Sequence, residues 1–202
     1  MEINLDLLLQ NYNSELVNKL RGFNDEVDYL QFWVPSSNKK KSLFNLIDAM
    51  SQTNLDLDIY GQGDLKDPLE SHAQKKEVKV SFKGVVNNNE MSTILNQYHY
   101  YILPSKYEGI PKTLLEAMAC SLVCIGTDVK GINEVIEDGV SGFLAKTTDT
   151  VDIVDAIARA INYSNPNTIS QNARLLIGEN FSLDFFQKKE ISIVNDLVGT
   201  HD

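Results

Sequence analysis

Cysteine is nearly absent from this sequence: 202 residues contain two, Cys120 and Cys124. Both lie inside one apolar stretch. That excludes a disulfide framework and points to buried thiols of a reducing, cytoplasmic compartment. Positive charge is also scarce. Lys and Arg number 18 against 28 Asp and Glu, for a net charge of −10. This balance argues against a nucleic-acid partner and against a polybasic membrane anchor. Phosphate binding stays open, because it needs only a local set of donors. No apolar run reaches the ~18–20 residues of a membrane span. The first residues carry no basic segment and no small-residue cleavage site, so no secretory signal is expected. The three histidines, His72, His99 and His201, are scattered. Neither they nor the cysteines have metal-ligand spacing, and no metal is expected.

What is present suits one soluble domain with a full core. Residues 3–21 place Leu5, Leu9, Tyr12, Leu16 and Leu20 on one face of a helix. An acidic break at 24–28 follows. Apolar, strand-like segments then recur at 29–34, 55–60, 78–82, 99–103, 122–125 and 143–144, each punctuated by Gly, Pro or Asn. Helical patterns separate them, at about 39–50, 65–76, 90–98, 111–120 and 131–136. Glu90 stands three residues after Asn87, in the spacing of a capping box. The tail, 151–198, holds three more helix-like segments.

Strands alternating with helices predict βαβ units. The expected fold is a Rossmann-like, doubly wound α/β domain with a mostly parallel sheet and helices on both faces. Ligands of such sheets bind beyond the carboxyl ends of the strands. The loops to watch are therefore 35–41, 61–64, 84–87, 104–112 and 127–131.

Gly61 and Gly63 follow a strand, but Lys66 stands where a dinucleotide fingerprint needs its third glycine. Hydride-transfer chemistry is disfavoured accordingly. The richest segment is PSKYEGIPKTLLEAMA, 104–119. Glu108 lies in a loop at a strand's carboxyl end, and Gly109 permits close backbone approach. Pro111 opens a helix whose amides at Lys112, Thr113 and Leu114 are expected to lack intrahelical partners, which makes an anion site. Glu116 sits about one and a half turns further in. Two carboxylates flanking an anion site suit a ligand with hydroxyl-rich ends and a charged middle, the shape of a nucleotide sugar. Spacing alone equally fits a capped helix with Glu116 on its solvent face.

The segment resembles the E-x7-E motif of family 4 glycosyltransferases, which are retaining enzymes of the GT-B fold. YGQG at 60–63, VSFKG at 80–84, LPSKYEG at 103–109, EAMAC at 116–120, TDVKGINE at 127–134 and DGVSGFL at 138–144 resemble its other motifs. The likeness covers roughly 29–185. It implies that Glu116 holds the ribose hydroxyls and Glu108 lies by the donor sugar near the anomeric carbon. Backbone at Gly109, Ile110, Pro111, Lys112, Thr113 and Leu114 would reach the sugar and diphosphate. Gly61 lies in the family's glycine-rich turn, and Val85 and Val86 would border the base. Lys41 matches the family's phosphate-binding lysine. The arginine that accompanies it has no match, since Pro35-Ser36 stands there; Lys39, Lys40 and Lys130 are substitute cations to consider. Ser121, Val123, Lys130 and Asn133 also depart from the family pattern.

The resemblance implies a domain plan. Residues 1–28 form a helix and linker, 29–185 the donor-binding domain, and 186–202 a terminal helix and tail. This is one GT-B half, and transfer would need an acceptor domain, a separate subunit or a homo-oligomer. The donor would be a UDP- or GDP-sugar, used without a cofactor, in a role such as polysaccharide biosynthesis. Peripheral membrane contact is compatible with it. Three other classes remain in view. An inactive interaction or nucleotide-binding module is suggested by the missing arginine. A receiver-like domain would want acidic residues after its first strand, where Pro35 and Ser36 stand. An epimerase of related fold would also need a second domain.

Overall fold

The computed structural model describes residues 31–35, 42–53 and 55–181. The expected helix at 3–21 and the tail beyond 181 lie outside the described residues. Six strands form one sheet: β1 (Gln31–Pro35), β2 (Asp56–Tyr60), β3 (Val80–Gly84), β4 (Tyr100–Leu103), β5 (Val123–Thr127) and β6 (Phe143–Ala145). Their spatial order is β3-β2-β1-β4-β5-β6, and every pairing is parallel. Each connection therefore crosses over through a helix or turns, and all strand carboxyl ends share one edge. The strand order reverses between β1 and β4, the switch point at which open α/β sheets bind ligands.

The helices are α1 (Leu43–Met50), α2 (Lys66–Lys75), α3 (Met91–Leu95), α4 (Lys112–Ala119), α5 (Thr150–Ile161) and α6 (Pro166–Asn180). Alternation along the strands splits the core in two. Leu57, Ile59, Tyr100, Ile102, Val123 and Ile125 pack with α1, α2 and α5. Tyr101, Leu103 and Cys124 face the other way, toward α3, α4 and part of α6. Strands β4 and β5 are buried throughout, so they read as continuous apolar runs. Edge strand β3 is only half-buried and carries the exposed Lys83. The side chain of Asn45 donates to the Thr148 carbonyl (2.7 Å), tying α1 to the approach of α5. Arg159 bridges Asp138, Asp155 and the Leu144 carbonyl, which fastens α5 to β6.

Some expected helices are corrected. The helix after β3 covers only Met91–Leu95, and its N-cap, Glu90, makes no side-chain cap bond. The Asn87 amide instead donates to the Glu90 carboxylate (3.0 Å), so the spacing mimics a capping box without making one. Residues 131–136 form consecutive turns rather than a helix, with the Ile132 carbonyl accepting from Val135 and Ile136. Helix α4 begins at Lys112 with Pro111 as its N-cap. Of the three segments expected in the tail, α5 and α6 are present and the third lies outside the described residues.

Two helices end in Schellman motifs without glycine. After α2, Val78 N–H bonds the Ala73 carbonyl (3.0 Å) and Glu77 N–H the Gln74 carbonyl (3.2 Å). After α4, Leu122 N–H bonds Ala117 (3.0 Å) and Ser121 N–H bonds Met118 (2.9 Å). Glu77 (φ +57°) and Ser121 (φ +58°) hold the left-handed position that favours glycine. Replacing the exposed Glu77 with glycine is expected to raise stability by about 1 kcal/mol. Thermal unfolding would show this as a Tm a few degrees higher.

Candidate functional site

The site begins where β4 ends. Pro104 stops the strand, and the Leu103 carbonyl accepts from Ser105 N–H (3.0 Å), turning the chain sharply. The loop 104–111 is then clamped from three sides. Ser42 N–H, at the start of α1, donates to the Pro104 carbonyl (2.9 Å). The Thr127 hydroxyl, at the end of β5, donates to the Leu103 carbonyl (3.4 Å). Gly131 lies against the backbone of Glu108 and Gly109, so closely that a Cβ there would meet the Gly109 oxygen at 2.4 Å. These contacts come from both sides of the switch point.

Within this frame the fully buried Ser105 hydroxyl donates to Glu108 Oε1 (2.6 Å). Glu108 itself is half-buried, and Gly109 and Ile110 beside it are exposed. Helix α4 follows. The expectation of three open amides at its start is corrected. Lys112 N–H bonds the Ile110 carbonyl (2.9 Å) and Leu114 N–H the Pro111 carbonyl (2.9 Å), because the first turn is tight. The side chain of Leu114 is wholly in the core, and Pro111 is buried. Thr113 shares a hydrogen bond between its hydroxyl and that of Tyr101 (2.8 Å).

The solvent-face alternative for Glu116 is corrected. The residue is 9% exposed rather than on a solvent face. Its Oε2 has no hydrogen-bond partner among the described residues. Burial pushes its carboxyl up to about 7, against which Lys112, one turn earlier, pulls down. A buried acceptor left open is costly. Tyr101 on β4 is fully buried. Burial raises its phenol well above the ordinary range, with Glu108 and Glu116 adding to the rise.

A second recess lies at the same edge, beyond β2 and β3. It measures about 470 Å³ and is lined by Gly61, Gln62, Gly63, Lys66, Phe82, Lys83 and Gly84. Gly61 N–H donates to the Gly84 carbonyl (2.6 Å), closing its floor. Lys83 is paired with the buried Asp58 (3.2 Å), which also accepts from the Tyr98 hydroxyl (2.6 Å). Val85 is exposed and Val86 half-buried just past this recess. Lys130, exposed, adjoins Gly131 on the rim by Glu108. Lys39, Lys40 and Lys41 lie outside the described residues. Among the described residues no cluster of His, Cys, Asp and Glu has the makings of a metal site, and no helix is long and apolar enough to cross a membrane.

Sequence reasoning passed over three residues here. Ser105 stood inside LPSKYEG with no role of its own. Tyr101 read as one more apolar strand residue. Gly131 closed the watched loop 127–131 and opened an expected helix, with no close approach to Glu108 in view.

A parallel sheet of this order with its open site on the carboxyl edge is a Rossmann-like, doubly wound domain. Solved structures share that fold. The chain superposes on Anabaena HepE in complex with UDP and glucose with TM-score 0.77 and 19% identity, covering 95% of this chain and 54% of that one. A C-terminal domain of a glycosyl transferase group 1 protein from Francisella tularensis matches with TM-score 0.74 and 20% identity, over 90% of this chain and all of that one. Residues 21–176 match the family Glycosyl transferases group 1, and the chain belongs to it. An uncharacterized glycosyltransferase of Methanocaldococcus jannaschii is 28% identical over 154 residues, 74% of this chain and 42% of that protein. The Escherichia coli UDP-Gal:alpha-D-GlcNAc-diphosphoundecaprenol alpha-1,3-galactosyltransferase is 28% identical over 140 residues, 69% of this chain and 35% of that protein. The match thus spans less than half the length of these two curated relatives.

Proposed function

We propose that this chain is the donor-binding half of a family 4, retaining glycosyltransferase that takes a nucleotide-activated hexose. The observation that carries the reading is Glu116, a buried carboxylate with an open acceptor oxygen, on the helix that follows the clamped loop of Glu108. In this reading Glu116 accepts from the two ribose hydroxyls. Glu108 accepts from hydroxyls of the donor sugar near its anomeric carbon. The diphosphate lies by α4's first turn, where Gly109, Ile110 and Thr113 offer backbone amides and Lys41 offers charge, with Lys130 a second cation. The recess at Gly61, with Val85 and Val86 at its border, takes the base. Stabilisation of the departing diphosphate by these groups is the main catalytic contribution. No resident metal takes part.

The relatives named for UDP or UDP-galactose favour a UDP-sugar over a GDP-sugar. Transfer itself takes an acceptor-binding unit, supplied by another segment or by a second subunit, on the cytoplasmic side and with peripheral membrane contact where the acceptor is a lipid.

Calorimetric titration of the chain with UDP-glucose, UDP-N-acetylglucosamine and GDP-mannose tests this. At least one should bind saturably. Absence of saturable binding to all three defeats the reading. It would favour the inactive module instead, which Ser36 in place of the family's arginine already suggests.

A further inference from the structure

We propose that Ser105 is a positioning residue whose buried hydroxyl holds the Glu108 carboxylate in place for the donor sugar; this rests on the reading of Glu108 given above. A fully buried serine hydroxyl needs an acceptor. The Leu103 carbonyl, two residues before it, is already used by Ser105 N–H and by Thr127. The hydroxyl is spent instead on a carboxylate at the rim, at 2.6 Å, a short charge-assisted bond.

The spacing, serine at i and glutamate at i+3, matches that of a helix cap. Here no helix follows the serine directly, because residues 104–111 are loop. The bond therefore does not serve to start a helix. Nor does it hold the loop's backbone, since Ser42, Thr127 and Gly131 do so from three sides. What remains for it to fix is the glutamate side chain, one of those with most rotamer freedom to lose. A side chain ordered beforehand loses less when the ligand arrives.

The consequence is selective. Removing the hydroxyl should cost the interaction with the sugar and spare the interaction with the nucleotide. The experiment compares UDP-glucose with UDP in wild type, Ser105→Ala, Glu108→Ala and the double variant. For Ser105→Ala we expect UDP-glucose to bind about tenfold more weakly, one hydrogen bond to a charged group, while UDP stays within about twofold. In the Glu108→Ala background, Ser105→Ala should have no further effect, because its only route to the sugar is gone. Equal weakening of both ligands, unchanged binding of both, or additive losses in the double variant would overturn the proposal. A wild-type chain that binds neither ligand defeats the functional reading instead. Crystal structures then decide the positioning claim by themselves. A Glu108 carboxylate that leaves its place in Ser105→Ala supports it, and one that stays put refutes it.

Discussion

Glu116→Gln should make the chain more stable and, in the same stroke, weaken its hold on a nucleotide sugar. Burial holds the Glu116 carboxyl at about 7 rather than an ordinary 4.5. Between those values the folded chain keeps a proton that the unfolded chain has released. Stability therefore falls as pH rises from about 4.5 to about 7 and is level above. The loss by pH 8 is about 3 kcal/mol, from the size of the shift. Glutamine never ionises, so the variant should lack this slope and unfold at a higher temperature at pH 8, with little difference at pH 4. Binding should move the opposite way. Ribose hydroxyls donate, and the ionised carboxylate accepts from both. Wild-type affinity for UDP-glucose should then be about tenfold weaker at pH 6 than at pH 8, since only the ionised fraction binds. Removal of the acceptor in Glu116→Ala should cost about 3 kcal/mol, or a hundredfold. Thermal melts and titrations at three pH values read all of this. A variant no more stable than wild type at pH 8 would contradict the buried-charge account.

Gly131→Ala carries the other large effect. Its φ of +87° alone disfavours a side chain, and its Cβ would lie 2.4 Å and 2.7 Å from the carbonyl oxygens of Gly109 and Glu108. Strain at positive φ costs about 1–2 kcal/mol. Overpacking against backbone adds about 1–3 kcal/mol. The loop of Glu108 must shift, so discrimination between UDP-glucose and UDP should disappear along with the stability. Gly139 supplies the control. Its φ is +75°, yet a Cβ there would meet nothing within 4 Å. Gly139→Ala should pay only the conformational part and leave binding intact. Equal losses of stability in denaturant titrations of the two variants would show that the close approach beneath Glu108 carries no weight.

These two residues differ in how far the sequence announces them. Glu116 was legible by spacing, but its burial was not. That depends on α4 lying over Tyr101, a contact between elements that no local pattern encodes. Gly131 was read as a helix start, whereas its value lies in what sits across from it, the loop after β4. The strands were legible because β4 and β5 are unbroken apolar runs and because glycine or proline stands at or just past the ends of β1, β2, β3 and β4. Helix α3 was overextended at its C-terminal end, where Gln97 and Tyr98 N–H bond the Ile94 and Leu95 carbonyls in tight turns instead of continuing the helix. The three amides at the start of α4 followed from the general rule for helix ends; the tight first turn, set by Pro111, closes two of them.

The pairing of β1 with β4 has a further consequence, for the order in which the molecule comes together. Phe32 is opposite Tyr100, while the other neighbouring strands pair residues much nearer in sequence. Closing that contact encloses the longest stretch of chain in the sheet, and closure entropy grows with length. In synthesis β1, β2 and β3 precede β4 and can pair among themselves, but the crevice between β1 and β4 waits for Tyr100 and the residues after it. The crevice at the switch point thus cannot exist until both halves of the sheet have begun to form, and a nucleotide present during folding would find no site on the first half alone.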